Sequence, residues 1–263
     1  MTAGHHATRR TARTAAVVLG LTGGLLGGNG LLGSGAARAD NGIDTLSARR
    51  IAERSRDALL SVDSLRVTAR GDLGDGRPAK SLDVVLDRSG NCVGSVRLGG
   101  GQGSARIVKH GDEVWVKPDS DFWKSQVPDG GAAFAAILNG RYLRAPASDP
   151  RLRPLTEGCD PVVFGQLAGD VAHQDPAGLR KAPRTTLDGA PVIPLTSTRE
   201  GRTWTTYVAA TGRPYPVRIT VHGGGADAVV DLSGFGKPVP SATPPPDRTY
   251  DINALLDRSS VPT

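Results

Sequence analysis

The feature of this sequence that most constrains its fold is a series of short runs in which apolar and polar residues alternate. The first runs cover residues 65–69 and 82–86, and the pattern returns from Arg184 onward in runs about eight to ten residues apart. A period of two places every second side chain on the same face of a β-strand. Turn sequences such as Asp188-Gly189 separate the runs. The sequence therefore predicts many antiparallel strands, each with one buried face.

Glycine-rich segments between these runs predict turns. The cluster at 99–103 lacks the Gly-Lys-Ser/Thr ending of a phosphate-binding loop and precedes a strand pattern, so a turn is the better interpretation. A second turn at 110–112 leads into the strand pattern 113–117, which Pro118 stops. These two segments predict a hairpin.

Four stretches have helical patterns instead. Asp44 is predicted to cap a helix over 44–62. Its apolar stripe consists of Ile51, Ser55, Ala58, Leu59 and Val62. Further helices are predicted over 132–143, which is rich in Ala, over 161–168, which follows an Asp-Pro start, and around 252–256. A sheet of many strands with one apolar face must curl, and helices are its natural cover. The fold class is therefore α+β: a large, strongly curved antiparallel β-sheet with helices covering the concave face.

The first 39 residues have the pattern of a secretion signal peptide. A basic segment precedes the apolar, Gly-rich run 15–32, and Ala37-Arg38-Ala39 has the form that a signal peptidase reads, so we expect cleavage before Asp40. Glycines and Asn29 break the run, which is too short for a membrane span. The residues leave the general secretory and twin-arginine routes both open. We expect residues 40–263 to form a single domain with a Pro-rich C-terminal segment.

The charge of the chain does not indicate a nucleic-acid partner. The formal net charge is +6, but the first 39 residues hold four arginines and no acidic residue. Of the 32 Lys and Arg residues, 28 then remain against 26 Asp and Glu, so the mature part is nearly neutral. Its two cysteines, Cys92 and Cys159, would pair in an oxidising compartment, with two buried free thiols as the alternative.

The mature sequence offers no pattern typical of catalysis. It has no zinc, calcium or nucleophile-elbow spacing, and neither cysteine has a histidine close by in sequence. His110, His173 and His222 lie in or beside polar or Gly-rich turns, where solvated histidines are usual. We therefore predict a binding protein rather than an enzyme, with no metal and no cofactor. A dispersed Ser-His-Asp triad is not detectable from sequence alone.

Several strings are similar to those of a known family. They include the 44–62 helix leading into Leu65-Arg66-Val67, the segment 111–118 with Phe122-Trp123, the segment 205–218 and the segment 231–236. Together they resemble the actinobacterial LppX/LprA/LprF/LprG lipoproteins, which are similar to the LolA and LolB carriers. The resemblance implies an unclosed half-barrel whose apolar cavity holds a lipid or a lipidated molecule. The lipobox cysteine of that family is missing here, where Ala39-Asp40 stands, so we expect a protein without a lipid anchor.

The predicted function is accordingly that of a secreted or extracytoplasmic carrier or chaperone for a lipid or other apolar ligand. Its predicted ligand-binding residues are Val84, Leu86, Val96, Leu98, Ile107, Val114, Val116, Trp123, Phe134 and Leu138. The aromatic residues, Trp115 and Trp204 among them, either line such a cavity or simply fill the core. The alternative function is a protein-interaction or envelope-sensor module with a filled core. We expect a monomer with no integral membrane segment in the mature chain.

Overall fold

The computed structural model of this protein describes residues 39–72, 80–138, 140–172 and 178–254. Apart from Ala39, the predicted signal peptide lies outside the described residues, and so does His173. The predicted C-terminal helical stretch is described only over 252–254, which are helical.

The strands of the described residues form one sheet. They are β1 (Ser64–Asp72), β2 (Lys80–Asp87), β3 (Cys92–Arg97), β4 (Ser104–His110), β5 (Glu113–Pro118), β6 (Tyr142–Pro146), β7 (Arg180–Lys181), β8 (Thr185–Leu187), β9 (Ala190–Arg199), β10 (Arg202–Ala209), β11 (Pro216–Gly223), β12 (Ala226–Ser233) and β13 (Thr249–Asp251). Segments with the alternating pattern form strands because every second side chain packs inward. Most of the predicted strands are confirmed.

The sheet is open, and most neighbouring strands follow each other in sequence. Its order is β13-β6-β5-β4-β3-β2-β1-β12-β11-β10-β9-β7, and β8 also pairs with β9. The pairings are antiparallel, except that β13 runs parallel to β6. The pairing of β1 with β12 joins the first strand series to the second. The sheet is therefore mixed rather than wholly antiparallel.

Besides the helical residues 252–254, five α-helices accompany the sheet in the described part of the chain. They are α1 (Ala48–Leu60), α2 (Ser120–Gln126), α3 (Gly131–Leu138), α4 (Arg153–Thr156) and α5 (Val162–Ala172). The predicted cap of α1 is wrong: Ser47, not Asp44, accepts the hydrogen bond of the Arg50 amide, at 3.4 Å. Asp44 belongs to a separate 3-10 turn over Ile43–Thr45.

The predicted helix over 132–143 is also wrong in its second part. The helix ends at Leu138, and Gly140 then takes the left-handed backbone conformation, with φ at 68°. Such a glycine commonly stops a helix. Tyr142 and Leu143 belong to β6, where Leu143 pairs with Val116 of β5. The non-local strand pairing decides the structure of this segment, which its Ala-rich composition does not reveal.

Candidate functional site on the inner face of the sheet

The candidate site is the face of β1–β6 that the helices cover, called the inner face below. Register places its side chains in three rows across the strands. The first row is Val67, Val84, Gly94, Ile107, Val116 and Leu143. The second row is Leu65, Leu86, Cys92, Lys109, Val114 and Ala145, and the third is Ala69, Leu82, Val96, Ala105 and Pro118. A nearly continuous apolar surface results, with Lys109 as its charged member.

Helices α1 and α5 pack against each other and share one apolar core cluster with these rows, and α1 also approaches β11. Ile51 and Leu59 of α1 and Phe164 of α5 are each 0% exposed and belong to the same apolar cluster as the rows. Arg88 contacts both the chain that follows α1 and a residue of α5. Its Nε donates to the Val62 carbonyl at 2.7 Å, and its guanidinium lies 4.6 Å from the centre of the Phe164 ring.

A disulfide fixes this part of the cover to the sheet. Cys92 of the second row is bonded to Cys159, just before α5, with 5.4 Å between the two Cα atoms. Both residues are 0% exposed. The predicted pairing is therefore confirmed. The bond closes a loop of 67 residues and links β3 directly to the helical segment that covers it.

A second pair of helices, α2 and α3, is held mainly by its own aromatic contacts. The Trp123 and Phe134 rings stack with centroids 5.8 Å apart, and Phe122 meets Trp123 edge-on at 5.5 Å. The two helices approach closely at Gly131, where a Cβ atom would lie 2.2 Å from the Trp123 carbonyl oxygen. Ile137 of α3 is 58% exposed. Helix α3 thus leaves much of its own apolar surface in solvent, and Phe122 of α2 packs against the core cluster.

The structure divides the ten predicted ligand-binding residues into two groups. Six of them are buried together on the inner face: Val84, Leu86, Val96, Ile107, Val114 and Val116. Leu98, just beyond β3, is partly buried against the same cluster. Trp123, Phe134 and Leu138 belong instead to the α2–α3 pair, where Leu138 is 2% exposed. Whether any of the ten binds a ligand stays a prediction.

Some important residues of this site were not among the predicted ones. Phe164 is the largest fully buried side chain of the described residues. Its apolar position in the predicted 161–168 helix could have indicated this burial from the sequence. Trp115 is 7% exposed and lies between Val114 and Val116, so it points to the opposite face of β5. Trp204 is partly buried against the core. Trp115 thus neither lines the inner face nor fills the core beneath it.

Ser55 is an exception to the apolar character of the cover. It lies on the buried stripe of α1 between Ile51 and Leu59, and it is 0% exposed. Within the described ranges its Oγ atom has no hydrogen-bond partner. An unsatisfied buried hydroxyl costs about 1–3 kcal/mol, so such a group in a core calls for an explanation.

The face opposite the inner face, called the outer face below, carries the charges. Arg66 grips Asp83 with two hydrogen bonds, Nε to Oδ1 at 2.7 Å and Nη2 to Oδ2 at 2.5 Å. The Arg66 hydrogen bonds and charge hold the pKa of Asp83 below its usual value, against the opposing effect of burial. Within the span of the three rows, Lys109 apart, the charges of these strands therefore lie on the face opposite the apolar site.

The described residues offer little for catalysis or metal binding. No group of three or more His, Cys, Asp or Glu among them is arranged to hold a metal ion. His222 forms an exposed pair with Asp227 at 3.1 Å, and His110 Nε2 lies 3.0 Å from the Pro240 carbonyl oxygen. None of the helices over the described ranges is both long and apolar enough to cross a membrane.

An open sheet with helices over one face defines an α+β fold, and the solved structure of LprF has the same fold. Among solved structures, LprF from Mycobacterium bovis matches with a TM-score of 0.54 and 15% identity, over 75% of this chain and 96% of that chain. The lipoprotein LppX from Mycobacterium tuberculosis matches with a TM-score of 0.46 and 17% identity, over 74% and 98%. A LolA superfamily protein from Nitrosomonas europaea matches with a TM-score of 0.27 and 13% identity, over 75% and 96%.

At these identities the likeness shows the fold. The fold class expected from the sequence and the resemblance to LprF are thereby confirmed. No protein-family model and no curated protein sequence matches the chain.

Proposed function

We propose that this protein is an extracytoplasmic carrier or chaperone that binds a lipid or another apolar ligand between the inner face and its helical cover. The observation that carries the proposal is the surface of three rows across β1–β6, which is apolar apart from Lys109. Apolar walls with few polar groups are typical of ligand sites. The proposal involves binding and no chemical step.

The walls of the site are the ten residues predicted from the sequence. Six of them belong to the rows, Leu98 lies just beyond β3, and Trp123, Phe134 and Leu138 belong to the α2–α3 pair. Ser55 supplies the polar contact, because a polar group of the ligand would satisfy its unpaired hydroxyl. Ligand uptake requires α2 and α3 to move outward, since α1 and α5 are held by the core and the disulfide.

An extracytoplasmic location is part of the proposal. The signal-like first 39 residues support export, and a disulfide between two fully buried cysteines suits an oxidising compartment. Without a lipobox cysteine, the mature protein is proposed to be free of a lipid anchor.

The first test is native mass spectrometry, followed by organic extraction, of the 40–263 protein purified without detergent from its producing cells. A defined bound lipid is expected. Val96→Asp, which places a charge on the inner face, should abolish lipid retention. Val93→Asp is the matched control, because it introduces the same charge in the same strand on the outer face. Equal lipid content in the two folded variants would contradict the proposal.

Ser55→Ala tests the polar contact separately. Removing the hydroxyl leaves the shape of the site nearly unchanged, so the empty protein should be as stable as the wild type or more stable. Retention of the extracted lipid should fall. Unchanged retention would exclude a role for Ser55 and leave the apolar walls to be judged by the Val96 variant.

One observation favours the alternative of an interaction or sensor module with a filled core. Val84, Leu86, Ile107, Val114 and Val116 are each at most 1% exposed, so they are in contact with other protein atoms almost all round. A protein that carries no lipid, and whose Val96→Asp variant unfolds while Val93→Asp does not, would establish this alternative.

A further inference from the structure

A groove crosses the outer face at one end of β1–β4. It has a volume of about 420 Å³ and is lined by three-residue segments of these four strands. No helix residue lines it, so it lies on the face that the helices leave uncovered. Its lining includes three arginines, two serines and one carboxylate: Arg70, Arg97, Arg106, Ser81, Ser95 and Asp83. The groove is thus polar and basic, in contrast to the inner face of the same strands.

The register brings like charges together beside this groove. Arg106 of β4 lies directly opposite Lys117 of β5. Arg97 of β3 lies opposite Ser104, which makes it a diagonal neighbour of Arg106, at a typical separation of about 7–8 Å. Like charges on facing positions of a sheet destabilise it. An anion between these side chains would relieve the repulsion.

In the described residues, no nearby carboxylate forms an ion pair with Arg97 or Arg106. Asp83 is bound by Arg66, and Asp231 binds Arg70 at 3.1 Å. Asp119 accepts hydrogen bonds from the Ser104 amide, the Ser104 hydroxyl and the Phe122 amide, at 2.8, 2.6 and 2.8 Å. Its charge attracts Arg97, although its oxygens are already engaged in holding the start of α2.

The remaining donors match a tetrahedral oxyanion. In the part of the chain that the structure describes, Arg106 forms no ion pair or hydrogen bond with another side chain, and it is exposed. Two guanidinium groups offer planar pairs of N–H donors, which fit phosphate oxygens. The hydroxyls of Ser81 and Ser95 lie in the same groove and add neutral donors.

We propose that the outer groove is a binding site for a phosphate-type oxyanion, held chiefly by Arg97 and Arg106. The anion is either free phosphate or the phosphate of an anionic lipid headgroup, since the recognising chemistry is the same. This site is separate from the apolar site, because it lies on the opposite face of the same strands. Its presence does not depend on the function proposed above.

The test compares two probes on three proteins. Inorganic phosphate is titrated into the 40–263 protein, and the amide and guanidinium nitrogen resonances are followed by NMR. Vesicles of phosphatidylglycerol and of phosphatidylcholine are used for co-sedimentation. The proteins are the wild type, the double variant Arg97→Gln with Arg106→Gln, and Arg199→Gln as a control. Arg199 carries the same charge on β9 of the same sheet, with its side chain 76% exposed.

Saturable phosphate binding that the double variant weakens at least tenfold and Arg199→Gln changes less than twofold would support a free-phosphate site. Binding to phosphatidylglycerol vesicles alone, lost in the double variant, would support a lipid headgroup. No saturable binding of either probe, or equal weakening by Arg199→Gln, would overturn the proposal. Circular dichroism verifies folding, and unchanged lipid retention in the double variant separates this result from the carrier proposal.

Discussion

The two parts of the helical cover differ in how they are held to the sheet. Ile51, Leu59 and Phe164 in α1 and α5 are 0% exposed, and a disulfide joins the sheet to the chain just before α5. By contrast, α2 buries none of its residues, and Ile137 of α3 is 58% exposed. Several fully buried side chains and a covalent bond fix one part, whereas stacked rings, Leu138 and the hydrogen bonds of Asp119 hold the other. Elements with few buried contacts are those that open most readily.

The largest expected difference between the two parts comes from their phenylalanines. Phe164→Ala leaves a cavity in the core and should reduce the free energy of unfolding by about 3–5 kcal/mol. Phe134→Ala mainly removes a stacked, partly exposed pair and should cost about 1 kcal/mol. Urea denaturation of both variants measures the two losses. Similar losses would show that α3 is held as firmly as α5.

Removal of the disulfide tests whether this bond stabilises α5 more than α3. Replacing Cys92 and Cys159 together by Ser should lower the free energy of unfolding by about 2–4 kcal/mol, because the unfolded chain gains freedom. Hydrogen exchange followed by mass spectrometry should show faster exchange in α5 and little change in α3. Faster exchange in α3 than in α5 would mean that the bond supports the whole cover equally.

Replacing Gly131 and Gly165, one in each part of the cover, by Ala should change the stability by smaller amounts of opposite sign. A Cβ at Gly131 would lie 2.2 Å from the Trp123 carbonyl oxygen, so Gly131→Ala should push α2 and α3 apart at a cost of about 1–3 kcal/mol. A Cβ at Gly165 of α5 meets nothing within 4 Å. There Ala should stabilise the helix by about 0.5–1 kcal/mol. Thermal unfolding gives both values, and two changes of the same sign would contradict the close approach at Gly131.

The smallest expected effect is the pH dependence of the α2 attachment. Burial raises the pKa of Asp119, but the hydrogen bonds from Ser104 and Phe122 and the charge of Arg97 outweigh it and lower the pKa below its usual value. This contribution is complete above the unfolded-state pKa near 3.9 and is lost as the pH falls through the lower folded-state value. Asp119→Asn should therefore weaken the acid-induced loss of stability, measured between pH 5 and about pH 2. An unchanged acid profile would assign that loss to other carboxylates such as Asp83.

The sequence was sufficient wherever a local pattern decides the structure. Alternation revealed β1–β5 and β9–β12, and it placed six of the ten predicted residues on one buried face, because strand period and burial coincide. Alternation did not reveal the elements whose structure depends on partners distant in sequence. Strand β6 depends on pairing with β5, and α2 depends on Asp119, which also binds Ser104.

The basic groove was not predicted for a similar reason. Arg97, Arg106 and Lys117 are each ordinary exposed positions of alternating strands in the sequence. Only the pairing register places them on neighbouring strands at adjoining positions. The alternation gave the face of each side chain, but not which side chains meet across the strands.

The shortness of the terminal strands of the sheet has a consequence for association. At one edge β13 has three residues, and at the other β7 has two, while the strands between them reach ten. Long, unpaired edges invite pairing with another chain, and short ones limit it. The C-terminal segment that returns to lie beside β6 therefore shields a five-residue strand from intermolecular sheet extension. In this sense the end of the chain protects the protein from aggregation as well as completing its fold.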